Sequence, residues 1–251
     1  MTDLTGQVAV VTGGNGGIGL GMARALAEAG ADIAIWARNE EKSAAAVAGL
    51  ADTGRRVIAL RCDVAEEAQV LDAMADTLAA FGKVDSVIAN AGIGGFSPFW
   101  KMSLTEWRRV MAVNLDGAFL TLRSGAAHLV ERGEGGALIA ISSVSAIHGA
   151  PAMEHYAASK AALPAMIRGM AVELARYRIR CNSILPGWTE SEMLDPTTAS
   201  EKFIENTTKR TPVRRWGTPA DIGRAAVFLA DPANAFHTGD QLVVDGGYSI
   251  F

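Results

Sequence analysis

Short runs of continuous apolar residues alternate along the chain with longer segments in which apolar residues recur every three or four positions. The apolar runs predict strands at Gln7–Thr12, Asp32–Trp36, Val57–Arg61, Ser86–Ala89, Ala137–Ser142, Arg180–Leu185 and Gln241–Val244. The longer segments predict helices at Ile18–Ala29, Glu40–Ala51, Glu66–Phe81, Leu104–Glu131, Tyr156–Tyr177 and Pro219–Ala230. Strands that are apolar on both faces are typical of parallel sheets. We therefore expect an α/β fold with a single doubly wound parallel sheet of about seven strands and helices on both faces.

Residues 188–218 interrupt this alternation. The segment is polar and contains Pro196 and Pro212, so we expect an irregular insertion. Long irregular segments in compact domains often act as lids or binding loops, and we interpret this one as a substrate loop rather than a plain surface excursion. No low-complexity linker divides the chain, so residues 1–251 are expected to form a single domain.

Composition excludes several classes of function. Lys and Arg total 23 against 27 Asp and Glu, a net charge of −4, which argues against a nucleic-acid partner. No segment resembles a signal peptide or a membrane span, and two cysteines are too few for a disulfide scaffold, so we expect a cytoplasmic protein with no membrane partner. The four histidines do not pair at metal-ligand spacing, and we expect no metal.

A glycine-rich turn follows the first strand. Thr12-Gly13-Gly14-Asn15-Gly16-Gly17-Ile18-Gly19 joins that strand to a helix, the context of a dinucleotide-binding loop. Spacing alone leaves two registers open, because the run also fits the fingerprint that starts at Gly14. The second strand ends at Ala37, where NAD enzymes usually place an acid, and Arg38 follows. A guanidinium suits a 2′-phosphate, so NADP(H) is favoured and NAD(H) is kept as an alternative.

Further motifs follow the later strands. They are Asp63-Val64, Asn90-Ala91-Gly92, Asn114, Ser143, Tyr156-x-x-x-Lys160 and Pro186-Gly187. Together with Thr12-Gly13-x-x-x-Gly17-x-Gly19, they resemble the short-chain dehydrogenase/reductase family over essentially the whole chain, and that resemblance selects the register that starts at Gly13. Ser191 stands where the family often has Thr.

The resemblance implies a Rossmann fold and a set of site residues. The implied catalytic residues are Asn114, Ser143, Tyr156 and Lys160, and Trp188 joins Ser143 and Tyr156 as a candidate substrate contact. The implied cofactor contacts are Gly13, Asn15, Gly17, Ile18, Gly19, Arg38, Asn39, Asp63, Val64, Asn90, Ala91, Gly92, Tyr156, Lys160, Pro186, Gly187, Thr189 and Ser191. Lys160 is implied to bind the nicotinamide ribose, and Asn114 to help carry a water chain to Lys160.

The Tyr–Lys pair has a chemical purpose. Tyr156 and Lys160 stand i and i+4 on one helix and so share a face. A tyrosine hydroxyl titrates near ~10. An ammonium about 4 Å away is worth on the order of 4 kcal/mol at a dielectric of about 20, which predicts a Tyr156 pKa of about 7. The charge of the oxidised nicotinamide would lower this pKa as well, while desolvation would oppose the shift. Such a group can exchange a proton with a substrate oxygen at neutral pH.

These residues predict an NADP(H)-dependent oxidoreductase that interconverts a secondary alcohol and a ketone, a small-molecule substrate. The alternatives are an NAD-dependent sugar or sugar-acid dehydrogenase, an epimerase or dehydratase on the same fold, and a non-catalytic nucleotide sensor. A homotetramer or homodimer is implied by the resemblance and by the apolar end of the chain, residues 246–251. Arg176, Arg178 and Arg180 are interpreted as a solvated helix end rather than a docking site for an acidic carrier protein.

Overall fold

The computed structural model describes residues 2–191 and 200–251. In these residues a parallel sheet has the order β3-β2-β1-β4-β5-β6-β7. Its strands are β1 Val8–Thr12, β2 Asp32–Ala37, β3 Val57–Arg61, β4 Ser86–Ala89, β5 Gly136–Ile141, β6 Ile179–Pro186 and β7 Gln241–Val244. The order reverses between β1 and β4, and a crevice at such a reversal is where open α/β sheets bind ligands. The predicted α/β fold with one doubly wound parallel sheet is confirmed.

Helices connect the strands and cover both faces of the sheet. They are α1 Gly17–Glu28, α2 Glu40–Gly49, α3 Glu67–Phe81, α4 Leu104–Met111, α5 Gly117–Arg132, α6 Glu154–Leu174, α7 Glu201–Arg210 and α8 Pro219–Ala230. Among the described residues, no helix is long and apolar enough to span a bilayer.

Successive strand residues point to opposite faces and so build two cores. Val10 and Trp36 pack with Leu122 and Leu163 of α5 and α6, in a core that also takes in α3. Val11 and Ile35 pack on the other face in a second core, with Met22, Leu26 and Ile222 from α1 and α8. Because β1 to β6 present apolar residues to both sides, the sheet needs helices on each face to exclude water.

Two elements differ from the sequence prediction. The helix predicted over Leu104–Glu131 is interrupted by a π-helical turn, Ala112–Asp116, in which one extra residue rotates Asn114 into the interior. The segment predicted as irregular contains α7, which begins after Ser200, whose hydroxyl accepts a hydrogen bond from the Phe203 N–H. The part of that segment at residues 192–199 lies outside the described residues.

The interpretation of Arg176, Arg178 and Arg180 as a solvated helix end is wrong for Arg180. Arg180 lies in β6, is 7% exposed and donates hydrogen bonds to the carbonyls of Leu229 and Ala230 at 2.5 and 3.2 Å. Those carbonyls end α8 and lack partners within that helix, so the buried guanidinium closes the helix terminus.

Candidate active site

A cavity of about 760 Å³ runs along the edge of the sheet where the strands end. Its walls are the segments that follow β1 to β6, so the sequence motifs meet here because parallel strands place their carboxyl ends at one edge. Every predicted cofactor contact lines the cavity, as does Ser143. Asn114 and Trp188 are not among its lining residues.

The glycine turn brings backbone N–H groups to the cavity wall. Gly13 and Gly17 have φ of +63° and +47°, the left-handed region that side chains disfavour. A Cβ on Gly19 would overlap the carbonyl oxygen of Gly13, so the turn and α1 are in direct backbone contact. Gly16 caps α1 without a side-chain hydrogen bond, which leaves the helix N-terminus open to an anion.

Thr12 joins the turn to the end of β4. Its hydroxyl oxygen accepts hydrogen bonds from the N–H groups of Asn90 and Ala91 at 2.9 and 3.0 Å. The Asn90 amide donates back to the Thr12 carbonyl at 2.8 Å. The Asn-Ala-Gly segment thus fixes the gap between β1 and β4, the reversal point of the sheet.

Two cations line the end of the cavity at β2. Arg38 is exposed and its Nη1 lies 3.6 Å from Asp63 Oδ2. Lys42 lines the same end, one turn into α2, where its N–H donates to the Asn39 capping oxygen at 2.9 Å. Sequence reasoning missed Lys42, because a lysine in the first turns of a surface helix carries no motif.

Ser143, Tyr156 and Lys160 lie together at the middle of the cavity. The Ser143 side chain is close enough to the Tyr156 hydroxyl to lower its pKa. Lys160 Nζ lies 5.7 Å from the centre of the Tyr156 ring and donates to the Ile141 carbonyl at 2.8 Å. Burial lowers the pKa of Lys160 to about 8.

The Tyr156 hydroxyl differs from its sequence-based expectation. Burial raises its pKa, and the hydrogen bond to Ser143 opposes this only in part. The expected lowering counted on the charge of Lys160, whereas desolvation of the buried hydroxyl has the largest effect on its pKa. The prediction of a Tyr156 pKa lowered by Lys160 alone is therefore wrong for this arrangement.

Asn114 lies behind the cavity wall. It is fully buried, its Oδ1 accepts from the Ile93 N–H at 2.8 Å, and its Nδ2 donates to Ser159 Oγ at 3.1 Å. A Cβ on Gly92 would stand 3.3 Å from Lys160 Nζ and 3.4 Å from Asn114 Oδ1, so Asn114 is close to the lysine.

Trp188 belongs to an aromatic group next to the cavity. It stacks on Trp216 with ring centres 6.0 Å apart and meets Phe203 of α7 edge-on at 5.0 Å. Tyr248 contacts both Trp188 and His148 edge-on at 6.1 Å. His148 follows Ser143 by five residues, so this group continues the wall from the catalytic candidates outward.

The residues present fit a dinucleotide. The cavity has the size of a cofactor pocket, its glycines leave room for close backbone approach, and an open helix N-terminus faces it. In the described part of the chain, no cluster of three or more His, Cys, Asp or Glu side chains could hold a metal.

Comparison with known proteins agrees with this geometry. A family model described as enoyl-(acyl carrier protein) reductase matches residues 12–249. The chain is 38% identical to L-rhamnose 1-dehydrogenase (NAD(P)(+)) of Sphingomonas sp. (strain SKA58), over 98% of each chain. It is 35% identical to a 3-oxoacyl-[acyl-carrier-protein] reductase of Chlamydia pneumoniae, over 97% of each chain.

A solved structure of a dehydrogenase also resembles this chain. The gluconate 5-dehydrogenase of Burkholderia cenocepacia J2315, in complex with NADP and tartrate, superposes with a TM-score of 0.93 at 40% identity, covering 99% of this chain and 97% of that one. The seven-stranded sheet, the full-length matches and the named activities agree on an NAD(P)-dependent oxidoreductase that acts on CH–OH groups. The chain belongs to the short-chain dehydrogenase/reductase family.

Proposed function

We propose that the protein is an NADP(H)-dependent oxidoreductase that interconverts a secondary alcohol and a ketone, with Tyr156 as the acid/base. The observation that carries this proposal is that Ser143, Tyr156 and buried Lys160 meet in the wall of a dinucleotide-sized cavity. A sensor has no need of an acid–base pair at this position.

The protein's own residues would bind the substrate oxygen and move its proton. Ser143 Oγ donates to that oxygen and orients it, and Tyr156 Oη takes the proton in oxidation or gives it in reduction. Lys160 favours the phenolate by its charge, and Asn114 holds the polar chain behind it through Ser159. The bound nicotinamide supplies the hydride acceptor or donor, and its oxidised form adds a positive charge that also favours the phenolate.

The preference for NADP(H) rests on the end of β2. Ala37 offers no carboxylate to a ribose hydroxyl, whereas Arg38 and Lys42 both line the cavity at this point. Two cations there favour a 2′-phosphate.

A sugar or sugar-acid dehydrogenase that uses NAD is a second candidate. The relatives named for rhamnose and gluconate support its substrate class. The half-buried rings of Trp188 and Tyr248 also offer a surface on which the apolar face of a sugar can pack.

Fluorescence titration with NADPH and with NADH tests the cofactor. We expect tighter binding of NADPH, and Arg38→Ala should weaken NADPH binding by about 10-fold or more, a loss of about 1.4 kcal/mol. NADH binding should change little. Arg61→Ala is the control, because Arg61 is an exposed arginine at the end of β3 that pairs with Glu40 and does not line the cavity.

Tighter binding of NADH by the wild type, unaffected by Arg38→Ala, would favour the NAD-dependent candidate. Binding of neither nucleotide would contradict the proposal as a whole.

A further inference from the structure

Three side chains form a cluster where α4 meets the first turn of α6. Glu106 and Arg109 lie on α4, and His155 directly precedes Tyr156 on α6. The Glu106 carboxylate accepts from Arg109 Nε at 2.7 Å and from Arg109 Nη2 at 2.8 Å. His155 Nε2 faces the same carboxylate, 3.5 Å from Oε1.

The protonation of His155 follows from its partners. Its Nδ1 accepts a hydrogen bond from the Tyr156 N–H at 2.9 Å, so the neutral ring carries its proton on Nε2. His155 has no exposed surface, and within residues 2–191 and 200–251 its Nε2 makes no hydrogen bond. A buried N–H without an acceptor costs about 1–3 kcal/mol, and Glu106 is the carboxylate placed to compensate it.

The Tyr156 N–H depends on this histidine. Tyr156 is the third residue of α6, and the N–H groups of a first turn have no partner inside the helix. His155 Nδ1 therefore supplies the hydrogen bond that holds the backbone of Tyr156 at the start of α6.

The same cluster holds the loop after β4. Arg109 Nη2 donates to the Gly94 carbonyl at 3.1 Å. A Cβ on Gly95 would lie 2.5 Å from Glu106 Oε1 and 3.3 Å from His155 Nε2, so the loop backbone packs directly on the cluster. Ile93, one residue before Gly94, lines the cavity.

A second tie joins this loop to the approach to α6. The Ser97 N–H donates to the Ala152 carbonyl at 2.9 Å. Ala152 has a φ of +60°, a left-handed conformation that costs a non-glycine residue roughly 1–3 kcal/mol and persists where its surroundings require it. The loop after β4 and the start of α6 are thus fixed to each other at two points.

We propose that Glu106 is a positioning residue, which through His155 fixes the backbone of Tyr156 and with Arg109 fixes the loop that carries Ile93. None of Glu106, Arg109 and His155 lines the cavity, and the proposed role is exerted through the backbone of Tyr156 and of this loop. Its effect on turnover rests on the proposed function, whereas its effect on the backbone does not.

Amide hydrogen exchange tests the positioning without any substrate. Glu106→Ala should speed exchange at the amides of Tyr156 and Ser97, while Glu106→Gln, which keeps an oxygen facing His155 Nε2, should keep most of the protection. Arg109→Ala should likewise speed exchange at Ser97, because it removes the hydrogen bond to the Gly94 carbonyl. Arg108→Ala is its matched control, because both arginines lie in the last turn of α4 and it is Arg109 that binds Glu106. Unchanged exchange in Glu106→Ala would overturn the proposal.

Turnover supplies the second readout. Glu106→Ala should lower kcat by about 10- to 100-fold and leave the KM for NADPH unchanged, with recovery in Glu106→Gln. Wild-type kcat in Glu106→Ala would overturn the positioning role. A wild-type protein that turns over no alcohol or ketone would instead overturn the proposed function, and hydrogen exchange would still decide the role of Glu106.

Discussion

Lys160 is a buried cation whose environment holds it near the point of deprotonation. It is 4% exposed, and burial lowers its pKa from 10.5 to about 8. The Ile141 carbonyl stabilises the ammonium at one donor. A lysine poised in this way can hold its charge beside Tyr156 at neutral pH and lose it in mild base.

This lowered pKa predicts a pH-dependent contribution to stability. Between pH 8 and 10.5 the folded protein loses the Lys160 proton before the unfolded chain does, so the unfolded state binds more protons and stability rises with pH. The free energy of unfolding of the wild type, relative to Lys160→Met, should therefore rise across this window by up to about 1.4 kcal/mol per pH unit. Urea denaturation of both proteins measures it, and a constant difference would contradict the lowered pKa.

Some site residues could be predicted from the sequence and others could not. Ser143, Tyr156 and Lys160 lie in motifs whose spacing reflects their shared chemistry, and all three meet in the cavity wall. The cluster of Glu106 and His155 joins residues 49 positions apart through a helix packing that no local pattern encodes. The raised Tyr156 pKa likewise depends on burial of the hydroxyl, which only the packed structure shows.

At the scale of elements, the glycine turn and α1 work as one unit. Gly19 of α1 contacts the Gly13 carbonyl so closely that a side chain has no room, and a Cβ there would also lie 2.6 Å from Asn90 Nδ2. The turn, the first helix and the end of β4 therefore hold one another in the shape that faces the cavity.

Gly19→Ala should break this unit. We expect a loss of about 1–3 kcal/mol in the free energy of unfolding, because the backbone must shift, together with weaker NADPH binding. The matched control is Gly49→Ala at the end of α2, where a Cβ would meet nothing within 4 Å. That substitution should stabilise the protein by about 0.5–1 kcal/mol and leave NADPH binding unchanged. Equal denaturation midpoints for the two variants would contradict the close contact.

The elements also show where sequence patterns fail. Most residues of α7 are polar. Its apolar residues pack on other segments of the chain, as Phe203 does on Trp188. Residues 104–132 are helix-forming throughout, so the π turn at Ala112–Asp116 left no signal. The π turn buries Asn114, which then forms hydrogen bonds with Ile93 and Ser159.

At the scale of the whole molecule, exposed apolar side chains remain at the end of the chain. Phe236 is fully exposed, and Ile250 and Phe251 are 90% and 70% exposed. Exposed apolar side chains are typical of an interface where they form a patch. A homotetramer or homodimer therefore stays our prediction.

Light scattering at micromolar concentration tests the assembly. We expect a mass of two or four times the 26.3 kDa chain, shifted toward the monomer by Phe236→Asp. A wild-type monomer would contradict this assignment.

The central claim is that the Tyr156 hydroxyl exchanges a proton with the substrate oxygen during hydride transfer, and Tyr156→Phe tests it most directly. The measurement is NADP⁺ reduction, or NADPH oxidation, over a panel of secondary alcohols and ketones, with NADPH titrations of both proteins. We predict that the variant loses turnover by about 10²- to 10⁴-fold, the usual worth of a general acid/base, while its NADPH affinity stays within about 2-fold of the wild type. Near-normal turnover in Tyr156→Phe would contradict the account.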